Sequence, residues 1–182
     1  MILGDQIRLR AIEKDDLPSF VRWLNDPDVC QWLCMRYPLS LAEEEEWFAK
    51  MIKRPPAERP MAIEIQPDPK KDTWVFVGNC GFFDVSWENR SAEIGIHIGE
   101  KAYWDKGFGT KAMELILQFG FQSLNFHRIF LRVFENNQRA IRSYQKVGFI
   151  MEGRMRQAHY MNGKYVDVLL MSILQPEWQN EH

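Results

Sequence analysis

A chain of 182 residues is long enough for one domain with a substantial core and short for two. Its 46% apolar content, with seven Trp and twelve Phe, argues against disorder, and a formal net charge of -2 offers no basic field for nucleic acid or an anionic membrane. No apolar run approaches the roughly 20 residues of a spanning helix. Cys30, Cys34 and Cys80 make no C-x-x-C pair, and no close His-x-x-x-His completes a zinc set. The expectation is buried or half-buried free thiols and no metal. Met1-Ile2-Leu3-Gly4-Asp5 lacks the basic start and apolar stretch of a leader, so the expected setting is the cytoplasm.

In chain order, Ile7-Arg8-Leu9-Arg10 alternates apolar and basic and reads as a short strand with one buried face. Asp15 or Asp16 caps a helix whose apolar stripe is Leu17, Phe20, Val21 and Leu24, closed by Asn25-Asp26-Pro27-Asp28. Ser40-Leu41-Ala42-Glu43 is a capping box, and the helix it opens buries Trp47, Phe48, Met51 and Ile52 before Pro55-Pro56. The acidic run at 43–46 reads as a solvated helix start, favoured by the dipole. Strands at 61–65, 74–77, 81–85 and 91–98 follow with short connections, an antiparallel meander.

From there the pattern changes. The strand at 93–98, a long helix with inner face Ala112, Met113, Ile116, Phe119 and Gly120, and a strand at 129–134 imply two parallel strands joined by a right-handed crossover. A helix at 137–147 ends at Gly148, suited to a left-handed C-cap. Strands at 149–154 and 166–174 close the sheet, with Asn162-Gly163 as turn. The expectation is one mixed α/β domain over residues 1–182.

Gly107-Phe108-Gly109-Thr110-Lys111-Ala112 opens the long helix. Two glycines let the backbone approach a ligand, a helix N-terminus presents unpaired N–H groups, and Lys106 adds a charge; together these suit a pyrophosphate. The same glycines also serve a plain tight turn. The spacing fits a dinucleotide-binding G-x-G-x-x-A as well, but residues 99–106 separate strand from glycine and only one helix and two strands follow, against that fold. In the next helix Asn137, Ala140, Ile141 and Tyr144 share one face. Asn137 is also a natural N-cap, and Tyr144 reads equally as an amphipathic core tyrosine.

Residues 93–149 resemble the GNAT superfamily of N-acetyltransferases. Trp104-Asp105-Lys106-Gly107-Phe108-Gly109 is similar to its Q/R-x-x-G-x-G/A loop, and the stretch from Glu135 to Tyr144 and Gly148-Phe149 to its next motif. Ile7-Arg8-Leu9-Arg10, Trp23-Leu24-Asn25-Asp26-Pro27 and the segment from Met161 to Asp167 look like its RimJ/RimL branch. The resemblance implies a mostly antiparallel twisted sheet, flanked by helices, with a splayed central parallel pair. It implies acetyl-CoA as co-substrate, bound by Lys106, Gly107, Phe108, Gly109, Thr110 and Asn137, with backbone amides of Ile96, His97 and Ile98 pairing with the pantetheine arm. Trp104 departs from the motif, so one polar phosphate contact is expected to be missing.

The resemblance also implies Tyr144 as the acid that protonates the departing thiolate. Glu93, at the start of the splayed strand, is the nearest carboxylate to act as base, directly or through water. His97 alternates with Ile96 and Ile98, so its side chain faces away from theirs. The expected acceptor is a protein or peptide N-terminal amine, with spermidine, aminoglycosides or amino sugars as alternatives, and an acyl-CoA sensor as the rival of another class. Neither nucleic acid nor membrane is an expected partner, and a homodimer is left open.

Overall fold

The computed structural model describes residues 1–181. Its frame is an eight-stranded sheet of β1 (Ile2–Gly4), β2 (Ile7–Ala11), β3 (Met61–Ile65), β4 (Val75–Ser86), β5 (Ser91–Ile98), β6 (Arg128–Phe134), β7 (Ile150–Met161) and β8 (Lys164–Leu174). The order is β1-β2-β3-β4-β5-β6-β8-β7, and only β5 and β6 run parallel. The helices are α1 (Leu17–Leu24), α2 (Pro27–Cys30), α3 (Leu41–Met51), α4 (Phe108–Gln118), α5 (Gln138–Lys146) and α6 (Gln175–Glu181). This is the expected mixed α/β architecture; β1, α2 and α6 had no expectation attached, and Asn25-Asp26-Pro27-Asp28, read only as a stop, also opens α2 with Asp26 as its N-cap. Among the described residues no helix is long and apolar enough to cross a membrane.

Alternation in β2 buries Ile7 and Leu9, while Arg8 and Arg10 turn to the other face and pair with Glu64 of β3 at 2.6 and 2.8 Å. Arg10 also holds Asp16 at 2.7 Å. Asp16 stands at the N-cap position of α1 but makes no side-chain cap bond to it. Its carboxylate accepts from the Glu13 amide and closes a 3-10 turn ahead of the helix. α1 buries Leu17, Phe20 and Trp23, whereas Val21 and Leu24 are only partly covered.

The Ser40–Glu43 capping box forms in both directions, at 3.2 and 2.8 Å. Ile52, expected inside, is exposed, and the acidic run is not uniformly solvated. Glu44 shares an i, i+3, i+4, i+7 face with Trp47, Phe48 and Met51, and that geometry buries it. Burial raises its carboxyl to about 7.

The pieces expected at 74–77 and 81–85 are one strand, β4, which pairs with β3 from Val75 to Cys80 and with β5 from Gly78 to Ser86. One apolar cluster unites α4 side chains such as Ala112, Met113 and Ile116 with Ile94 of β5 and Ile129 of β6. A second places Phe20, Trp23 and Met51 over Ala62. Because neighbouring strand residues face opposite sides, α4 and α5 cover one face of the sheet and α1 and α3 the other. The final hairpin is longer than expected. Its turn residues Asn162 (φ 50°) and Gly163 (φ 79°) have the double positive φ of a tight hairpin turn.

Candidate active site

β5 and β6 pair only between Ser91–Glu93 and Arg128–Phe130. Beyond that point β5 stays with β4 as far as Ile98, and β6 stays with β8 as far as Phe134. The wedge left between the parallel strands opens into a cavity of about 920 Å³ that reaches both faces of the sheet. At one end lies the start of α4. Gly107 is left-handed (φ 82°), supplies no side-chain cap, and has nothing within 4 Å of where a Cβ would stand. At Gly109 the nearest atom would be Ile98 Cγ1 at 3.8 Å. The backbone of Phe108, Gly109 and Thr110 thus faces open space, which suits an anionic ligand. Thr110 Oγ1 and Ser143 Oγ, 2.9 Å apart, fix α4 against α5. Lys106 does not line the cavity; its ammonium sits 5.4 Å from the Tyr103 ring centroid.

Trp104 fills its motif position differently. Its indole Nε1 donates to the Ile98 carbonyl at 2.7 Å, and the Arg139 guanidinium stacks 4.0 Å from its ring centroid. Arg139, Arg142 and Lys146 all line the cavity from one face of α5. The i, i+3, i+7 spacing of these cations is legible in the sequence, but it equally fits a solvated helix face. Of the backbone groups expected to meet pantetheine, those of Ile96 and His97 border the wedge, while the Ile98 carbonyl already has an internal donor.

His97 does face away from Ile96 and Ile98. Its ring lies 6.2 Å from the rings of Phe20 and Trp23, and its Nε2 is buried without a hydrogen-bond partner among the described residues. Burial lowers its pKa to about 4, so the imidazole is neutral at physiological pH.

Asn137 caps α5, accepting from the Ala140 amide at 3.2 Å, which leaves its amide nitrogen to donate elsewhere. Tyr144 lines the cavity beside Phe149, and burial pushes its phenol up to about 12, so it is held protonated. Glu93 is buried at the point where the strands part. Both its oxygens accept from Arg132, at 2.8 Å from Nε and 2.7 Å from Nη2. The parallel register puts Glu93 opposite Phe130, so Arg132, two residues on, reaches it diagonally. Arg132 was not singled out from the sequence, although it is the one charged residue within the apolar stretch from Ile129 to Phe134.

The cysteines are free. Cys80 is buried and Cys30 half-buried, but Cys34 is exposed and lines the cavity, against expectation, because the segment after α2 forms its outer wall. Among the described residues no three or more His, Cys, Asp or Glu gather as a metal site.

An uncapped helix start, a glycine cradle and three cations at one end, with a wedge between parallel strands leading inward, fit a long phosphate-bearing thioester. Comparison with known proteins agrees. The acetyltransferase (GNAT) domain model matches residues 6–150. The spermidine N(1)-acetyltransferase of Vibrio cholerae is 31% identical over 178 residues, covering 98% of both chains. An uncharacterised N-acetyltransferase of Bacillus licheniformis is 28% identical over 178 residues, 96% of both. The crystal structure of the Vibrio cholerae spermidine N-acetyltransferase in complex with CoA and spermine superposes with a TM-score of 0.85 at 30% identity, covering 97% of this chain and 100% of that one. The chain belongs to the GNAT family. It is an acetyl-CoA-dependent N-acetyltransferase.

Proposed function

We propose that this chain moves the acetyl group of acetyl-CoA to the primary amine of a small molecule. The observation that carries this is the cavity reaching both faces of the sheet, basic and glycine-lined at one end and narrowed by side chains at the other. The RimJ/RimL-like segments point to a protein N-terminus. The full-length likeness to spermidine acetyltransferases supports a small amine instead, and so does the wall across the acceptor end, where Arg36 of the segment after α2 donates to the Tyr160 carbonyl of β7 at 3.3 Å.

In this reading the amides at 108–110 and the Arg139, Arg142 and Lys146 stripe hold the phosphates, with Lys106 at the rim. Asn137 and the open edge of β5 at Ile96, His97 and Ile98 align the amide arm, and a β5 amide polarises the thioester carbonyl. Glu93 keeps a second lone pair on each oxygen, enough to orient the acceptor N–H and, through water, to take its proton. Tyr144 returns a proton to the leaving sulfur. Burial disfavours the phenolate and the thiolate alike, so the gap between them narrows from that set by Tyr144 alone. No covalent enzyme intermediate is needed.

The test is twofold. CoA should raise Tm, by about 2.7 kcal/mol of stabilisation at 100 times its Kd. An amine should then make thioester absorbance decay faster than hydrolysis does. CoA stabilisation with no amine-dependent decay across a broad panel would turn the reading into that of a sensor.

A further inference from the structure

The acceptor end of the cavity has an electrostatic character of its own. Its walls are α2 and the segment after it, with Val29, Trp32 and Leu33, and the β7–β8 hairpin, with Met155; Phe83 and Phe134 face the space between. His159 stacks on Phe134 at 4.6 Å, closing that side with rings. Among the described residues only Glu93 and Asp105 bring carboxylates to the cavity lining. Asp105 belongs to the glycine loop at the other end. Glu93 is matched at both oxygens by Arg132. Outside the lining, the exposed Asp84 lies within electrostatic reach of Arg132. The wall segment contributes a cation, Arg36, and no acid; at α2 before it, Asp26 and Asp28 share Lys101 at 2.7 and 2.8 Å, and neither lines the cavity.

Glu93 and Asp84 against the guanidinium groups of Arg132 and Arg36 leave no surplus negative charge at the acceptor end. One amine, which attacks in its neutral form, needs none. Each further ammonium of a polyamine would lie against apolar rings, losing hydration without a partner, or beside Arg132 and Arg36, where like charges repel. We propose that the acceptor is a monoamine, one primary amine on an apolar body, and that polyamines are poor acceptors. In this the chain departs from the spermidine-acetylating relatives. The proposal rests on the reading of the chain as a small-amine acetyltransferase.

The experiment follows loss of thioester absorbance at saturating acetyl-CoA with phenethylamine, isopentylamine and spermidine. The better monoamine should exceed spermidine in kcat/KM by about ten-fold or more, the size of one uncompensated charge at a partly hydrated site. Spermidine equal to or above both monoamines overturns the proposal. No turnover with any of the three also overturns it; the CoA thermal shift then tells whether the acyl-donor site survives or fails as well. Arg132→Gln releases Glu93 and should move the spermidine-to-monoamine ratio toward spermidine by several-fold. Arg36→Glu, at an exposed position that tolerates change, should move it the same way. A ratio unmoved in Arg36→Glu and in folded Arg132→Gln overturns the charge argument.

Discussion

The indole of Trp104 donates to the carbonyl of Ile98, 2.7 Å away, and so ties the loop before α4 to the end of β5. The same ring carries the Arg139 guanidinium on its face. The family motif places Gln or Arg at this position to reach a phosphate directly. Here an apolar platform brings a cation across from the neighbouring helix instead. Trp104→Ala should therefore raise the Kd for CoA about ten-fold by calorimetry, with kcat changed less than KM. Loss of the hydrogen bond and packing should cost stability of about 1–3 kcal/mol in urea unfolding. An unchanged Kd would separate Arg139 from the phosphates.

Tyr144 tests the chemistry rather than the binding. Tyr144→Phe retains the ring packing against Phe149 and removes only the hydroxyl. The expected result is a fall in kcat on the order of 10²-fold with CoA affinity unchanged. A kcat within two-fold of the parent, by the same thioester assay, would take the tyrosine out of the mechanism.

Gly107 carries a positive φ of 82°, and a Cβ there meets no protein atom. The cost of a side chain is thus conformational for the protein and steric for the ligand. Gly107→Ala should lose about 1 kcal/mol of stability, a Tm drop of about 2–4 °C. The Kd for CoA should rise by more than this strain alone accounts for. Equal binding by calorimetry would mean that the phosphates do not approach this turn.

Glu44 makes stability depend on pH with an unusual sign. Its folded pKa of about 7 lies above the carboxyl value of 4.5. Stability from the protonated form is fully present below about pH 4.5 and is lost as pH rises through 7. The oxygens keep some contact with water, so the loss is about 1 kcal/mol rather than the full linkage value. Glu44→Gln should therefore raise Tm by about 2–4 °C at pH 8.5 and change it little at pH 4.5. A mutant less stable than the parent at pH 8.5 would show that the carboxylate has a favourable role.

The sequence by itself determined the order of most elements, the parallel pair, the two helices beside it and the glycine loop. These rest on local signals: period-two alternation in β2, the Ser40–Glu43 box, Gly107 before an amphipathic run, and Gly148 at a C-cap. Tertiary structure alone decided which charged groups meet. Glu93 and Arg132 lie 39 residues apart and touch only through the parallel register of β5 and β6. Trp104 and Arg139 meet only because α5 folds back beside the loop. Glu44 looked like one acid among four, and only packing against α1 took it out of water. Propensity and periodicity act along the chain, whereas charge pairing and desolvation depend on what the rest of the fold brings within a few ångströms.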